Sequence, residues 1–148
     1  MVYNTPESRK ESTDYPAKVL VVDDDFMNTN VFESLLDELG FSCDIAMSGK
    51  AAVAFVESRL KLSQEQPNTS MYSLILMDYS MPDMDGPDVC QLIRTLVPPE
   101  NQPLICCCSA YGGPNFVQKA MNAGMNKFLC KPVSNAQLIE IIEEAMKV

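Results

Sequence analysis

Five short apolar runs alternate with five stretches of helical periodicity, and this alternation limits the fold more than any other feature of the chain. Apolar runs of this length that end in turn residues are typical of strands buried on both faces. A strand followed by a helix, repeated five times, predicts a parallel sheet with helices on both faces. The predicted strands cover residues 18–22, 41–47, 74–78, 104–108 and 127–130.

The helices are predicted from apolar stripes and from residues that favour helix ends. Ser48 should begin the second helix, and Ser134 with Gln137 has the spacing of a capping box before the fifth. Gly40 and Gly124 should follow the ends of the first and fourth helices. The residues predicted to face the core are Met27, Val31, Phe32, Leu35, Leu36 and Leu39; Ala52, Phe55, Val56 and Leu60; Val89, Leu92, Ile93 and Leu96; Phe116, Val117, Ala120 and Met121; and Leu138, Ile141, Ile142 and Ala145.

Three segments are predicted to lie outside these elements. Residues 61–70 are polar and contain Pro67, which favours a surface loop. Residues 82–86 have the composition of a turn. Residues 1–16 are polar and charged, so we expect a flexible N-terminal leader, with one domain over residues 17–148.

Charge and hydropathy exclude several classes of function. The net charge is −9, from 11 basic and 20 acidic residues, and this argues against direct binding of nucleic acid. Apolar runs are too short for the roughly 20 residues of a membrane span, so we expect no direct membrane contact. The leader lacks the features of a secretory signal, which predicts a cytoplasmic location, or a nuclear one in a eukaryote.

Six cysteines raise the question of a metal site or a disulfide scaffold. Cys106, Cys107 and Cys108 are consecutive within a predicted strand, so their side chains alternate between faces and cannot converge on one ion. The chain has no histidine, which also argues against zinc. We interpret these cysteines as small buried apolar residues.

Functional side chains follow four of the predicted strands. Ligands of open parallel sheets bind outside the carboxyl ends of the strands. That edge should carry Asp23 and Asp24, then Asp78, Ser109 and Lys131. A single acid after a strand more often forms a turn or caps a helix, and we give Asp25 that role. The coincidence of four such sites predicts a common functional centre.

Three carboxylates at one edge repel one another, which usually implies a bound cation. Oxygen ligands without histidine or cysteine favour Mg²⁺. A carboxylate beside Mg²⁺ is suited to accept a phosphoryl group, and Asp78 would be this nucleophile. Lys131 could pair with Asp78 before the reaction and with a phosphate oxygen afterwards, while Ser109 offers a hydroxyl donor.

These residues resemble the response regulator receiver domain of two-component, or phosphorelay, signalling. The resemblance covers residues 18–148 and rests on four motifs in order. They are Val21-Val22-Asp23-Asp24; residues 74–78 followed by Met81-Pro82-Asp83-Met84-Asp85-Gly86; Ser109-Ala110; and Lys131-Pro132. The sequences of residues 108–111 and 123–133 are similar to those of receiver domains in hybrid histidine kinases. The chain is compatible both with a fragment of such a kinase and with a stand-alone regulator.

The resemblance implies a flavodoxin-like (CheY-like) (βα)5 fold with strand order 2-1-3-4-5. It implies that Asp78 is the phosphoacceptor and that Asp23, Asp24, Asp78 and the backbone carbonyl of Ser80 hold Mg²⁺, with Mn²⁺ able to substitute. Ser109 and Lys131 would match the switch hydroxyl and the active-site lysine.

The resemblance also implies how the switch works and with which proteins it acts. Phe128 matches the switch aromatic, although packing in the core is the alternative for that residue. A histidine kinase or a histidine phosphotransfer protein would donate the phosphoryl group. An output domain or partner would use the face made by the fourth helix, fifth strand and fifth helix. Such a domain is not a conventional enzyme, because it catalyses only its own phosphorylation and dephosphorylation.

Two other functions compete with this interpretation. Residues 83–86 imitate the acidic signature of phosphatases that resemble haloacid dehalogenases and use an aspartate nucleophile. In those enzymes the signature directly follows a strand, whereas Pro82 intervenes here. A phosphorylation-independent interaction module is the other alternative, and the complete acidic site argues against it.

Overall fold

The computed structural model describes residues 16–147, and within them a five-stranded parallel sheet has the order β2-β1-β3-β4-β5. This confirms the predicted fold class and strand order. The elements in chain order are β1 (Val19–Val22), α1 (Phe26–Glu38), β2 (Cys43–Ala46), α2 (Gly49–Glu65), β3 (Leu74–Asp78), α3 (Gly86–Leu96), a 3-10 turn (Pro99–Asn101), β4 (Leu104–Ser109), α4 (Pro114–Asn122), β5 (Lys127–Cys130) and α5 (Asn135–Ala145).

The predicted leader falls mostly on residues 1–15, which lie outside the described residues together with residue 148. The division of the chain into a leader and a domain therefore stays a prediction. Across residues 16–147, none of the helices combines the length and the apolar character needed to cross a membrane.

Apolar side chains of each strand alternate between two cores, one on each face of the sheet. On the first face the strands pack against residues of α2, α3 and α4, and on the second against α1 and α5. Cys107 belongs to the first core, whereas Cys106 and Cys108 belong to the second, which confirms that the three cysteines alternate. Full burial of an aliphatic side chain stabilises a fold by roughly 1.5–3 kcal/mol, so the two cores dominate the stability of the sheet.

Side chains at the helix ends satisfy backbone groups as the sequence predicts. Asp25 accepts a hydrogen bond from Met27 N, and Ser48 accepts one from Ala51 N. Ser134 and Gln137 form the predicted capping box before α5. Gly40 and Gly124 have φ values of 87° and 104°, the left-handed region that favours glycine after a helix.

The predicted loop over residues 61–70 is wrong in its first half. Helix α2 continues to Glu65, and the chain leaves it at Gln66 before Pro67. Residues 61–65 are mostly good helix formers. They are polar because they form the last part of α2, where no side chain is buried. The predicted turn over residues 82–86 is also one residue too long, because α3 begins at Gly86.

Several apolar residues predicted to face the core are instead exposed. Each helix lies on a sheet, so the buried stripe is narrower than the apolar stripe of the sequence. Helix α1, for example, buries Thr29, Phe32 and Leu36. The mispredicted exposed residues are Met27, Val31, Leu39, Phe55, Leu92, Leu96, Phe116 and Met121.

Candidate functional site

Parallel register brings the predicted functional residues to one edge of the sheet. Val22 lies opposite Met77, so Asp23 after β1 is next to Asp78 at the end of β3. Ser109 lies opposite Cys130 in the same way, which places Lys131 beside it. The backbone confirms this, because Lys131 N donates a hydrogen bond to Ser109 O over 2.8 Å.

Three carboxylates form the acidic part of the site. Oxygen atoms of Asp23, Asp24 and Asp78 lie within 4.8 Å of one another, close enough to bind one cation. Asp23 is almost fully buried, and one of its oxygens accepts a hydrogen bond from Asp25 N over 2.9 Å. Asp24 is exposed and Asp78 is half-buried, so the cluster opens to solvent on the Asp24 side. An all-oxygen donor set of this kind fits Mg²⁺.

Lys131 joins two of these carboxylates. Its Nζ lies 2.8 Å from Asp23 Oδ2 and 3.1 Å from Asp78 Oδ1. The lysine side chain is only 17% exposed, so both ion pairs are partly shielded from water. One ammonium therefore orients Asp78 and partly offsets the charge of the acidic cluster.

Burial and neighbouring charges shift the pKa values of Asp78 and Lys131. Burial raises the pKa of Asp78, and the neighbouring Asp23 carboxylate raises it further, although Lys131 opposes both effects. Burial alone would lower the pKa of Lys131, but hydrogen bonds and attraction from Asp23 and Asp78 outweigh it and the pKa is raised. The lysine is therefore held in its charged form, and the Asp78 carboxylate lies in an unfavourable environment that a cation would relieve.

Ser109 ends β4 with its side chain buried beside the cluster. Its Oγ accepts a hydrogen bond from Tyr111 N over 3.0 Å. A serine hydroxyl carries one donor in addition to its acceptor sites, so Ser109 can still donate to a group in the site. Together with Ser80, it lines a cavity of about 240 Å³ over the acidic cluster.

The loop after β3 is held tightly against the strand end. Gly86 N donates to Tyr79 O over 2.7 Å, and a Cβ at position 86 would overlap the Asp78 carbonyl oxygen. Asp83 accepts hydrogen bonds from the first backbone N–H groups of α2, and Asp85 caps α3. Both acids of the phosphatase-like signature therefore hold helix N-termini.

Phe128 lies apart from the acidic cavity. It is half-buried, pairs with Cys107 across the sheet and packs against the core on the α2, α3 and α4 face. The described residues that line the cavity do not include Phe128. Its place in the structure is that of a partly buried core residue.

Besides the helix cap Asp25, three residues that line the cavity were not assigned to the site from the sequence, namely Asn28, Ala110 and Tyr111. Asn28 lies in the first turn of α1, three residues after the cap Asp25. Its position after the acidic run was the available signal. Ala110 and Tyr111 directly follow Ser109, and their place in the cavity depends on how the chain turns after β4.

The response regulator receiver domain family matches residues 19–143 of the chain. The chain is 34% identical to hybrid signal transduction histidine kinase B of Dictyostelium discoideum, over 86% of the chain and 6% of that protein. It is also 34% identical to the aerobic respiration control sensor protein ArcB of Escherichia coli, over 85% of the chain and 15% of that protein. The chain thus spans a small part of the curated relatives it matches.

Solved structures give the same result. The receiver domain of the histidine kinase CKI1 from Arabidopsis thaliana, complexed with Mg²⁺ and BeF3⁻, is similar with a TM-score of 0.76 and 30% identity, covering 87% of this chain and 89% of that one. A CheY-like receiver domain from Methanospirillum hungatei has a TM-score of 0.70 and 25% identity, covering 85% and 90%. The chain belongs to the response regulator receiver domain family.

Proposed function

We propose that this chain accepts a phosphoryl group from a phosphohistidine onto Asp78 and changes conformation as a result. The observation that carries the proposal is the arrangement of Asp78 between Lys131 and two further carboxylates at the floor of an open cavity. A single ammonium faces several carboxylates there, which suits a site that gains a cation and then a phosphoryl group.

The proposed transfer is a displacement at the phosphorus atom of the donor. A carboxylate oxygen of Asp78 attacks phosphorus, the phosphorus–nitrogen bond breaks, and its electron pair returns to the imidazole of the donor. The product is an acyl phosphate on Asp78. Lys131 Nζ, 3.1 Å from Asp78 Oδ1, is placed to pair with a phosphoryl oxygen, and the Ser109 hydroxyl would donate a hydrogen bond to another.

Asp23, Asp24, Asp78 and the carbonyl of Ser80 would hold Mg²⁺, with Mn²⁺ as a substitute. When bound, such an ion offsets the negative charge that the carboxylates present to the phosphoryl donor. Asp24 is the exposed member of the cluster, so we expect its carboxylate to be the most accessible of the metal ligands. The buried Asp23 carboxylate would also position the Lys131 ammonium at the floor of the cavity.

We assign the donor contact to the N-terminal half of α1. Phe26 and Met27 are 67% and 74% exposed, and Val31 lies exposed one turn further on. Phe26 and Met27 directly follow Asp25, which lines the cavity. A protein that brings a phosphohistidine to Asp78 must cover this rim, and exposed apolar side chains there would be buried on contact. The donor is a histidine kinase or a histidine phosphotransfer protein.

The response to phosphorylation is proposed to pass through Ser109 and Phe128 to the face made by α4, β5 and α5. Ser109 would move toward the phosphoryl group and Phe128 would turn inward. This face would contact an output domain or partner. The chain would catalyse only its own phosphorylation and dephosphorylation, and its predicted cytoplasmic location fits donors of this kind.

The direct test is phosphorylation by acetyl phosphate in the presence of Mg²⁺, followed by intact-mass measurement. We expect one acid-stable, base-labile phosphoryl group per chain, and none in Asp78→Asn or after removal of Mg²⁺ with EDTA. The same modification in Asp78→Asn would sink the assignment. Turnover of many equivalents of a phosphate ester per chain would instead favour the phosphatase alternative.

A separate measurement addresses the interaction module. Binding of a candidate partner is compared between the unmodified protein, the phosphorylated protein and Asp78→Asn. We expect the phosphorylated form to bind differently from the other two. Equal affinities for every partner would favour a module that acts independently of phosphorylation.

A further inference from the structure

The loop between β3 and α3, residues 79–85, carries one of the proposed metal ligands. Its Ser80 is exposed and lines the cavity over the acidic cluster. The ligand assigned there is a backbone carbonyl, which no side-chain rotation can adjust, so its position depends on how the loop itself is held. The contacts that hold this loop therefore bear on the cation site.

The base and the inner side of this loop are fixed by the backbone and by the core. Gly86 N donates to Tyr79 O over 2.7 Å, which closes the loop where it leaves the sheet. A Cβ at position 86 would overlap the Asp78 carbonyl oxygen, so this close approach requires glycine. Met81 is buried and packs in the core on the α2, α3 and α4 face. The outer part of the loop, around Asp83, is exposed and needs another attachment.

Asp83 attaches the outer part of the loop to the beginning of α2. Its Oδ1 accepts a hydrogen bond from Gly49 N over 3.0 Å, and its Oδ2 accepts one from Lys50 N over 2.9 Å. A Cβ at position 49 would lie 2.9 Å from Met84 Cβ, so the loop and the helix end are in direct contact. One carboxylate thus joins segments that are 33 and 34 residues apart in the sequence.

Helix α2 has two caps that satisfy different backbone groups. Ser48 Oγ accepts a hydrogen bond from Ala51 N over 3.0 Å, whereas Asp83 binds the N–H groups of the two residues before Ala51. Hydrogen bonds from Lys50 N and Gly49 N lower the pKa of Asp83, so it is ionised at neutral pH, as suits the positive end of a helix dipole. Within residues 16–147, Asp83 is not part of the cavity lining, so any effect on a cation must pass through the loop.

We propose that Asp83 is a positioning residue for the cation, and that it places the Ser80 carbonyl by fixing the loop to α2. This inference rests on the proposed function, to which the role of that carbonyl belongs. Asp83 itself does not bind the ion. When its two hydrogen bonds are removed, the loop loses its attachment to α2 and the Ser80 carbonyl samples positions away from the cation. The ion is then held by fewer ligands and binds more weakly.

Calorimetric titration of the unphosphorylated protein with Mg²⁺ tests the proposal. We expect Asp83→Ala to raise the dissociation constant about 10-fold, the lower end of the range for groups that support metal ligands. Phosphorylation by acetyl phosphate, followed by intact mass, gives a second readout. The Mg²⁺ concentration at the half-maximal rate should rise by the same factor in Asp83→Ala. The rate at saturating Mg²⁺ should stay near that of the unaltered protein, because a loss of binding alone does not slow the bound state.

Asp83→Asn separates the hydrogen bonds from the charge. It removes the same charge as Asp83→Ala but keeps an oxygen that can accept from a helix N-terminus, so it should bind Mg²⁺ more tightly than Asp83→Ala. Asp83 is exposed, so both variants should fold, which urea unfolding checks. Equal dissociation constants in the two variants would assign the effect to charge alone and overturn the inference.

Ser48→Ala is the matched control for helix capping. It removes the other cap of α2 but leaves the bonds of Asp83 in place, so it should lower stability without changing the dissociation constant of Mg²⁺. Equal weakening of Mg²⁺ binding by Ser48→Ala would attribute the effect to the stability of α2 and overturn the inference, as would normal Mg²⁺ binding in Asp83→Ala. Failure of the unaltered protein to bind Mg²⁺ or to be phosphorylated would instead refute the proposed function, and the inference with it.

Discussion

At the scale of single residues, the site holds more negative charge than its one lysine can balance. Asp23 and Asp78 share the ammonium of Lys131, and Asp24 adds a third carboxylate. The raised pKa of Asp78 shows that its charged form is disfavoured, first by burial and then by Asp23. This arrangement stores an electrostatic cost in the folded protein that a cation or a neutral side chain would remove.

We therefore predict that Asp78→Asn stabilises the protein when Mg²⁺ is absent. Asparagine has the shape of the acid without its charge, so the free energy of unfolding should rise by roughly 0.5–2 kcal/mol, the range common for single stabilising substitutions. Urea unfolding in EDTA measures this. Glu57→Gln, an exposed acid on α2, is the control and should change stability little.

The gain from Asp78→Asn should depend on pH. Because the folded-state pKa of Asp78 is raised, its charge destabilises the fold fully above that pKa. The penalty decreases as pH falls through the folded pKa and disappears below the unfolded value of about 3.9. The two proteins should therefore converge in acid. A gap that widens as pH falls would contradict the raised pKa.

Sequence reasoning predicted the contributing side chains of the site but not its full lining. Asp78 and Ser109 end strands, and Asp23 and Lys131 directly follow them, so the parallel sheet fixes where they lie. The cavity position of Tyr111 depends on the course of the chain after β4, and local sequence does not determine that course.

At the scale of elements, α1 has one face buried against the sheet and another, apolar and exposed, beside the cavity. We predict that the double change Met27→Ala and Val31→Ala slows phosphotransfer from a phosphohistidine protein by about 10-fold or more, because interface anchors typically contribute over 1 kcal/mol. Phosphorylation by acetyl phosphate should be unaffected, since that donor needs no protein contact. Rates of both reactions are followed by intact mass.

Leu92→Ala is the matched control for this prediction. Leu92 is 43% exposed on α3, so its truncation removes exposed apolar surface away from α1. Its effect on the protein donor should be small. Equal slowing by Leu92→Ala would place the donor contact elsewhere, and slowing with acetyl phosphate would point to damage in the site itself.

Arg94 at the end of α3 joins three segments through a planar guanidinium. Its nitrogens donate to Gly124 O, Gln102 Oε1, Pro103 O and Asn126 Oδ1 over 2.7–2.9 Å. We predict that Arg94→Lys lowers the free energy of unfolding by about 1.5–3 kcal/mol, because lysine keeps the charge but cannot make these bonds together. Urea unfolding tests this. Lys61→Arg on the exposed side of α2 should be nearly neutral, and an equally small effect of Arg94→Lys would contradict the structural role.

The order and type of the elements were predictable because the apolar periodicity of the segments agrees with the capping residues at the helix ends. The extent of burial was less predictable. Met27, Leu92 and Met121 fit the helical stripes but are exposed, because contact with the sheet rather than periodicity determines the width of the buried face. The end of α2 was missed because polar residues can extend a helix into solvent without any apolar signal.

At the scale of the whole molecule, the candidate cation site exists only when the sheet is assembled. Asp23 and Asp24 follow β1, whereas Asp78 ends β3, and these segments are far apart in sequence. Their oxygens meet because the parallel register of β1 and β3 aligns the two strand ends. A cation that binds there should bind the folded state alone, and its binding free energy should therefore add to the stability of the entire domain.

We predict that Mg²⁺ at about 100 times its dissociation constant raises the free energy of unfolding by about 2.7 kcal/mol, the value required by linkage. Asp24→Asn should lose most of this gain, because it removes an accessible carboxylate of the cluster. Asp25→Asn is the matched control. It removes one adjacent charge but keeps an oxygen that can cap α1, so it should retain most of the gain. Urea unfolding at several Mg²⁺ concentrations separates these outcomes. An equal response in Asp24→Asn and the unaltered protein would show that the acidic cluster is not where Mg²⁺ binds.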